Sequence, residues 1–224
     1  MPDRRRRPVD LDVDPDTTQP TVADLWFDPV CPWAWITSRW LVEVQRVRPV
    51  TARWHVMSLP ILNAGREHTP RYQKLMNSSQ QALRLLTAAA QHAETAGQDP
   101  SATLGQLYTE LGTRFHRDNK PLDTATYTQA LQAAGLPLDL LGARDSSDYD
   151  DAARRSHEAG IGLVGDKVGT PIISVAGAAF FGPVLTPIPG GEAAGRLWDA
   201  ICLLSATDGF FELKRTRTRK PAFD

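Results

Sequence analysis

The run DLWFDPVCPWAWITSRW, from Asp24 to Trp40, limits the fold more than any other part of the chain. Its first half is a short apolar and aromatic segment that stops at Asp28-Pro29, which predicts a strand ended by a turn. From Pro32 the apolar residues Trp33, Ile36, Trp40, Val44 and Val47 recur at spacings of three and four, the period of an amphipathic helix. Proline suits the first helical turn, because the N–H it lacks has no partner there. In VTARWHVMSL, Ala52, Trp54 and Val56 then alternate with Arg53, His55 and Met57, the period of a strand. Strand, helix and strand in that order predict a βαβ unit with parallel neighbours.

The pattern changes in the middle. From about Thr69 to Gly160 the chain is rich in alanine, leucine and glutamine, broken at AGQDPS, RDNKPLD and AGLPLD. These breaks carry capping residues, so four or five helices are expected. TPIISVAGAAFFGPVL returns to strand character, and Ala176-Gly177 inside it signals a hairpin. A last helix follows in GGEAAGRLWDAICLLSA, with Ala193, Leu197, Ala200, Ile201 and Leu204 as its expected buried stripe. Setting the helical middle aside leaves β-α-β followed by β-β-α. That is an α/β fold with a thioredoxin-like core and an inserted all-helical domain. The expected division is a disordered arm over 1–20, a thioredoxin-like domain over 21–62 and 165–224, and a helical insertion over 63–164.

Composition excludes some classes. Lys plus Arg number 25 against 26 Asp plus Glu, a net charge of −1, so neither nucleic acid nor an anionic membrane is an expected partner. The basic runs Arg4–Arg7 and Lys214–Lys220 read as solvated tails. No apolar run reaches the ~20 residues that span a bilayer. The residues after Arg7, PVDLDVDPDTTQPT, are acidic and proline-containing, unlike an export signal, so a cytoplasmic protein is expected. In that compartment Cys31 and Cys202 stay reduced. The excess of arginine over lysine suggests a high-GC bacterial genome.

Cys31 is the expected catalytic residue. It stands at the junction of a strand and a helix, where unpaired N–H groups and the helix dipole favour an anion. A cysteine so placed has its thiol pKa lowered from ~8.5 into the range ~3.5–7.5, which makes it a nucleophile at neutral pH. Pro32, Trp33 and Ala34 complete the motif, with Ala34 where a Cys-x-x-Cys pair would have its second thiol. In VGTPII, Pro171 opens a strand after the helical middle. In a thioredoxin-type core this position faces the cysteine with a cis Thr170–Pro171 bond, leaving the backbone of Thr170 to pair with an incoming thiol. Cys202 has apolar helical neighbours and reads as core.

Other motifs fail. GIGLVG (Gly160, Gly162, Gly165) has the glycine spacing of a dinucleotide fingerprint but lacks the preceding strand and following helix, so no nucleotide is expected. His55, His68, His92, His116 and His157 have no ligand spacing, and no metal is expected.

The stretches WFDPVCPWAWITSRW, HVMSLPILN, VGTPII, FFGPVL, GRLWDA and FFELKRTRT together resemble the mycothiol-dependent nitroreductase family of actinobacteria, a cytosolic branch of the DsbA-like thioredoxin-fold proteins. The resemblance implies an oxidoreductase that draws electrons from mycothiol, a low-molecular-weight thiol, to reduce small nitroaromatic or disulfide substrates. Against the family pattern Cys-Pro-Trp-Cys, this chain has Ala34 for the resolving cysteine. Cys31 is therefore limited to a mixed disulfide or a sulfenic acid, which a second thiol must release. Asn63, after the second strand, is expected near the loop over Cys31. Tyr72 and His116, at the near edge of the insert, are candidates to line the thiol pocket, and Trp33 to stack on the ligand. Two alternatives stand beside this reading: a kappa-class glutathione-transferase or isomerase-like enzyme that uses a bound thiol without net redox, and a non-catalytic thiol-binding homologue. An exposed face on the insert is compatible with a homodimer.

Overall fold

The computed structural model describes residues 20–223, so the arm expected over 1–20 lies outside the described residues except for Pro20. Strand β1 (Thr21–Phe27) leads through helix α1 (Pro32–Val47) into β2 (Val50–Val56), which runs parallel to β1 with Leu25 opposite Trp54. A short α2 (Leu59–Leu62) follows, then α3 (Pro70–Thr95), α4 (Pro100–Gly112), α5 (Thr124–Ala133), two 3-10 stretches and α6 (Asp150–Val164). Strands β3 (Ile172–Val175) and β4 (Ala178–Phe181) form an antiparallel hairpin, and α7 (Gly191–Ala206) follows it. β3 pairs antiparallel with β1, giving the sheet order β2-β1-β3-β4.

The helix starts follow from the chemistry at the sequence breaks. Thr69 accepts the Tyr72 N–H, Asp99 those of Ser101 and Ala102, and Asp123 that of Thr126, each pairing donors that a helix start leaves open. Ala176 and Gly177 have φ of 51° and 82°, the positive pair that a two-residue hairpin turn requires.

The main apolar cluster lies between the sheet and α1, α3, α4 and α7. Close approach there depends on two glycines of α4. A Cβ on Gly105 would sit 2.4 Å from the Trp54 ring, and one on Gly112 would sit 2.2 Å from that of Trp35. Between them the rings of Phe27 and Tyr108 stack at 3.6 Å. The opposite sheet face carries Trp26, Met57 and Ile172, packed against Ile161 and Val164 of α6. Met57 continues the Arg53–His55 side of the alternation, yet it is fully buried because α6 covers that end of the sheet. Gly160 brings α6 down onto Trp26, where a Cβ would stand 2.7 Å from the indole. Of the glycines of GIGLVG, Gly160 thus serves packing and Gly165, with φ of 86°, the helix end.

The α7 stripe differs from the expected one. Ala194, Trp198 and Ile201 are buried, whereas Ala193 and Ala200 are exposed. The large Trp198 ring, 6.3 Å from that of Trp40, sets the buried face, and the Trp40 indole N–H donates to the Ala194 carbonyl at 3.1 Å. Small alanines contribute too little apolar area to compete with an indole. Cys202 is half-buried beside that stripe, not enclosed in the core.

Candidate active site

Cys31 is the N-cap of α1. Its backbone is extended (φ −76°, ψ 114°), and Sγ accepts the Ala34 N–H at 3.5 Å. The turn before it is closed by the Cys31 N–H donating to the Asp28 carbonyl at 3.1 Å. Across the site the Thr170–Pro171 peptide is cis, and the Cys31 thiol donates to the Thr170 carbonyl at 3.4 Å. The Thr170 hydroxyl accepts the Asp28 N–H at 3.3 Å and donates to Trp26 O at 3.4 Å, tying this loop to the end of β1. With Thr170 4 % exposed, its carbonyl is already engaged by the sulfur.

The expectation of a lowered thiol pKa does not hold in this geometry. Burial pushes the Cys31 thiol up to about 12 and the Asp28 charge adds to the rise, while the Ala34 and Trp33 N–H groups and Arg217 pull it down. Cys31 is 6 % exposed, so removal of water from the sulfur outweighs the helix terminus. In this closed arrangement the sulfur is a thiol, and reaction requires water or substrate to reach it.

The sequence reading missed Asp28, which it took only as a turn residue. Its carboxylate is fully buried and accepts three hydrogen bonds: Val30 N–H at 2.9 Å, Leu59 N–H at 2.7 Å and the Ser79 hydroxyl at 2.7 Å. It therefore ties the Cys31 loop to α2 and α3. Burial raises its pKa to about 6, against the lowering effect of those three donors. The legible signal was an acid directly after an apolar strand, where a solvent-facing turn and a buried anchor look alike.

The other candidates fall on two sides of the loop. His116 lies where α4 widens into a π-turn over Thr113–Arg117, a feature often found at functional sites. Its Nε2 is 2.9 Å from the Pro29 carbonyl, and since a carbonyl only accepts, Nε2 carries the proton. Burial pushes His116 down to about 4, so the imidazole is neutral at pH 7. It stacks on Trp35 at 5.6 Å. Asn63 and Tyr72 meet on the other side, the Asn63 amide donating to Tyr72 Oη at 3.3 Å and to the Leu59 carbonyl at 2.9 Å. Burial raises the Tyr72 phenol, Asp28 and Cys31 add to that rise, and Arg66 opposes it.

Trp33 is half-buried on the first turn of α1, and its ring carries the Arg217 guanidinium at 5.2 Å. The C-terminal residues 211–220 are exposed, as a solvated tail is, yet Arg217 among them lies on Trp33. Beyond them the Phe223 ring comes to 5.6 Å from that of His116, and the Thr186 hydroxyl bonds both Lys220 O at 3.2 Å and Ala222 N at 3.0 Å. Pro32 and Ala34 have no polar side-chain role. Ala34 is fully buried, so the place of a second thiol is filled by a methyl group.

A cleft of about 320 Å³ lined by Ser58, Gln80, Arg84, Asp150 and Arg154 lies among α2, α3 and α6, away from the sulfur. Among the described residues no three His, Cys, Asp or Glu side chains group as metal ligands, and no helix is long and apolar enough to cross a membrane.

Solved structures share this architecture. A probable DsbA oxidoreductase, SCO1869 of Streptomyces coelicolor, is 15% identical with a TM-score of 0.52, covering 88% of this chain and 94% of its own. A 2-hydroxychromene-2-carboxylate isomerase is 13% identical with a TM-score of 0.54, covering 82% and 94%. At such identities the likeness shows the DsbA-like thioredoxin fold alone. The uncharacterized protein Rv2286c of Mycobacterium tuberculosis is 28% identical over 203 residues, 88% of this chain and 83% of its own. The family model described as Rv2466c-like, mycothiol-dependent nitroreductase Rv2466c, matches residues 30–215, from the Cys31 loop through α7. The chain therefore belongs to the Rv2466c-like family of mycothiol-dependent nitroreductases, a family of thiol-dependent oxidoreductases.

Proposed function

We propose that the protein is a monothiol oxidoreductase in which Cys31 is the nucleophile and mycothiol the reducing co-substrate. The observation that supports this most is Cys31 Sγ on the helix N-terminus, 3.4 Å from the Thr170 carbonyl beside Pro171, with Ala34 in place of a second thiol. With a disulfide RSSR′, the Cys31 thiolate forms an S–S bond to one sulfur and releases R′S⁻. A mycothiol thiolate then attacks the other sulfur of that mixed disulfide, frees Cys31 and leaves as the mycothiol mixed disulfide. With a nitroaromatic, reduction to the nitroso compound consumes two thiols and yields one disulfide and one water, so a second mycothiol replaces the missing cysteine. Thr170 and Pro171 orient the incoming sulfur, Trp33 packs on the substrate, and Asn63, Tyr72 and His116 border the pocket. The protein would act in the cytosol, where a reduced thiol pool is held.

One observation favours a second reading. The buried thiol, with its pKa pushed up to about 12, suits a protein that binds a thiol ligand without turning it over. The assay that separates the two follows oxidation of mycothiol with a disulfide or nitroaromatic acceptor, with Cys31→Ser as control. Net thiol oxidation that Cys31→Ser abolishes supports the oxidoreductase. Ligand binding with no thiol consumed supports the binding protein, and an isomerised product with thiol regenerated would point to a transferase or isomerase.

A further inference from the structure

The segment Lys214–Lys220 carries five cations (Lys214, Arg215, Arg217, Arg219, Lys220) and no carboxylate, in a chain whose net charge is −1. It is held at both ends. Phe210 packs on Phe180 of β4 at 5.7 Å, and past it the Thr186 hydroxyl and the Phe223–His116 contact fix the last residues. Arg217 is the cation this anchoring brings to the site, over the Trp33 ring at 5.2 Å and within electrostatic reach of the sulfur. Other titratable groups that feel the sulfur are Asp28, which is buried and already holds three donors, and the phenols of Tyr72 and Tyr108, while His116, held on the Pro29 carbonyl, is neutral at pH 7.

We infer that Trp33 and Arg217 form the subsite that selects the substrate, taking a planar aromatic group that bears a carboxylate. The aromatic group takes the face of the half-buried indole that the guanidinium now covers, and the displaced guanidinium turns to its carboxylate. The guanidinium offers a fork of N–H donors for its carboxylate and also favours the thiolate released on exchange. The inference rests on Cys31 being the nucleophile proposed above.

Two disulfide probes test it, both read by the thiolate that Cys31 releases, in a Cys202→Ser background. One is 5,5′-dithiobis(2-nitrobenzoate), aromatic and carboxylated, and the other is 4,4′-dithiodipyridine, aromatic and uncharged. Arg217→Met is expected to slow the carboxylated probe about tenfold more than the uncharged one, the effect of one charge-assisted hydrogen bond, the smaller loss with the uncharged probe coming from the thiolate that the guanidinium also favours. Arg217→Lys is expected to recover part of the loss, and salt to slow only the carboxylated probe in the unmodified protein. Equal slowing of both probes by Arg217→Met, or no slowing of either, would overturn the subsite while leaving Cys31 as nucleophile. Failure of both probes to label Cys31 would instead overturn the nucleophile, and the subsite with it.

Discussion

Replacing Asp28 by asparagine separates a buried anion from the hydrogen bonds that hold it. Burial shifts this carboxyl from the ordinary value of ~3.9 to about 6, roughly two units, and each unit is worth about 1.4 kcal/mol between the two protonation states. The folded-state pKa lies above the unfolded one, so the native protein binds the extra proton between them. Stability is therefore greatest below about pH 4, falls as pH rises to about 6 and then levels off, a loss of about 3 kcal/mol from this group. The carboxamide introduced by D28N does not titrate. Its single oxygen keeps Leu59 N–H and the Ser79 hydroxyl, but its NH₂ then faces the Val30 N–H, leaving that donor unpaired at a cost of about 1–3 kcal/mol. D28N is thus expected to be less stable than the unmodified protein near pH 4 and close to it at pH 7. Urea unfolding of both proteins at several pH values between 4 and 7 measures this, because groups common to both cancel in the difference. A stability difference that stays constant over that range would refute the buried-anion account of Asp28.

Other tests reach the same site and its supports. Alkylation of Cys31 by iodoacetamide, in a Cys202→Ser background, is expected to rise about tenfold per pH unit through pH 10, with a rate at pH 7 at least a thousandfold below that of a free thiol; a plateau near neutral pH would contradict a buried sulfur. In a Cys202→Ser background, Ala34→Cys puts a second thiol where the Ala34 N–H already reaches Sγ at 3.5 Å, so oxidation is expected to close an internal disulfide, seen as the loss of two hydrogen atoms in intact mass. Two thiols still free after oxidant would contradict that placement. Gly112→Ala drives a methyl to 2.2 Å from the Trp35 ring, and the overpacking is expected to cost about 1–3 kcal/mol and lower the melting temperature by several degrees. An unchanged or higher melting temperature would mean that Trp35 moves aside freely.

Much of the fold was legible because its local signals agree. Pro32 one residue past Cys31 marked the start of α1 and made the cysteine its cap, and Asp99 and Asp123 marked the starts of α4 and α5. Ala176-Gly177 gave the hairpin turn, and with it the reversal of chain direction that completes the sheet. What the sequence hides is three-dimensional closure. Charge at a helix terminus can be read from a cap and a proline, but the water lost by Cys31 depends on Thr170 and its neighbours, which are remote in sequence. That loss reversed the expected direction of the thiol pKa. Asp28-Pro29 reads as a turn because burial of the carboxylate requires Leu59 and Ser79, which local chemistry does not announce. The α7 stripe slipped for a similar reason: periodicity alone fitted alanines, and Trp198 meeting Trp40 fixed the face. The basic C-terminal run looked like a plain solvated tail until Arg217 lay on Trp33.

The central claim is that Cys31 carries the chemistry as a single thiol, and the most direct measurement is the intact mass of the protein after incubation with oxidised mycothiol. The expected result is one mycothiol adduct, mapped to Cys31, absent in Cys31→Ser and removed by excess reduced mycothiol. No adduct, or an adduct confined to Cys202, would contradict it.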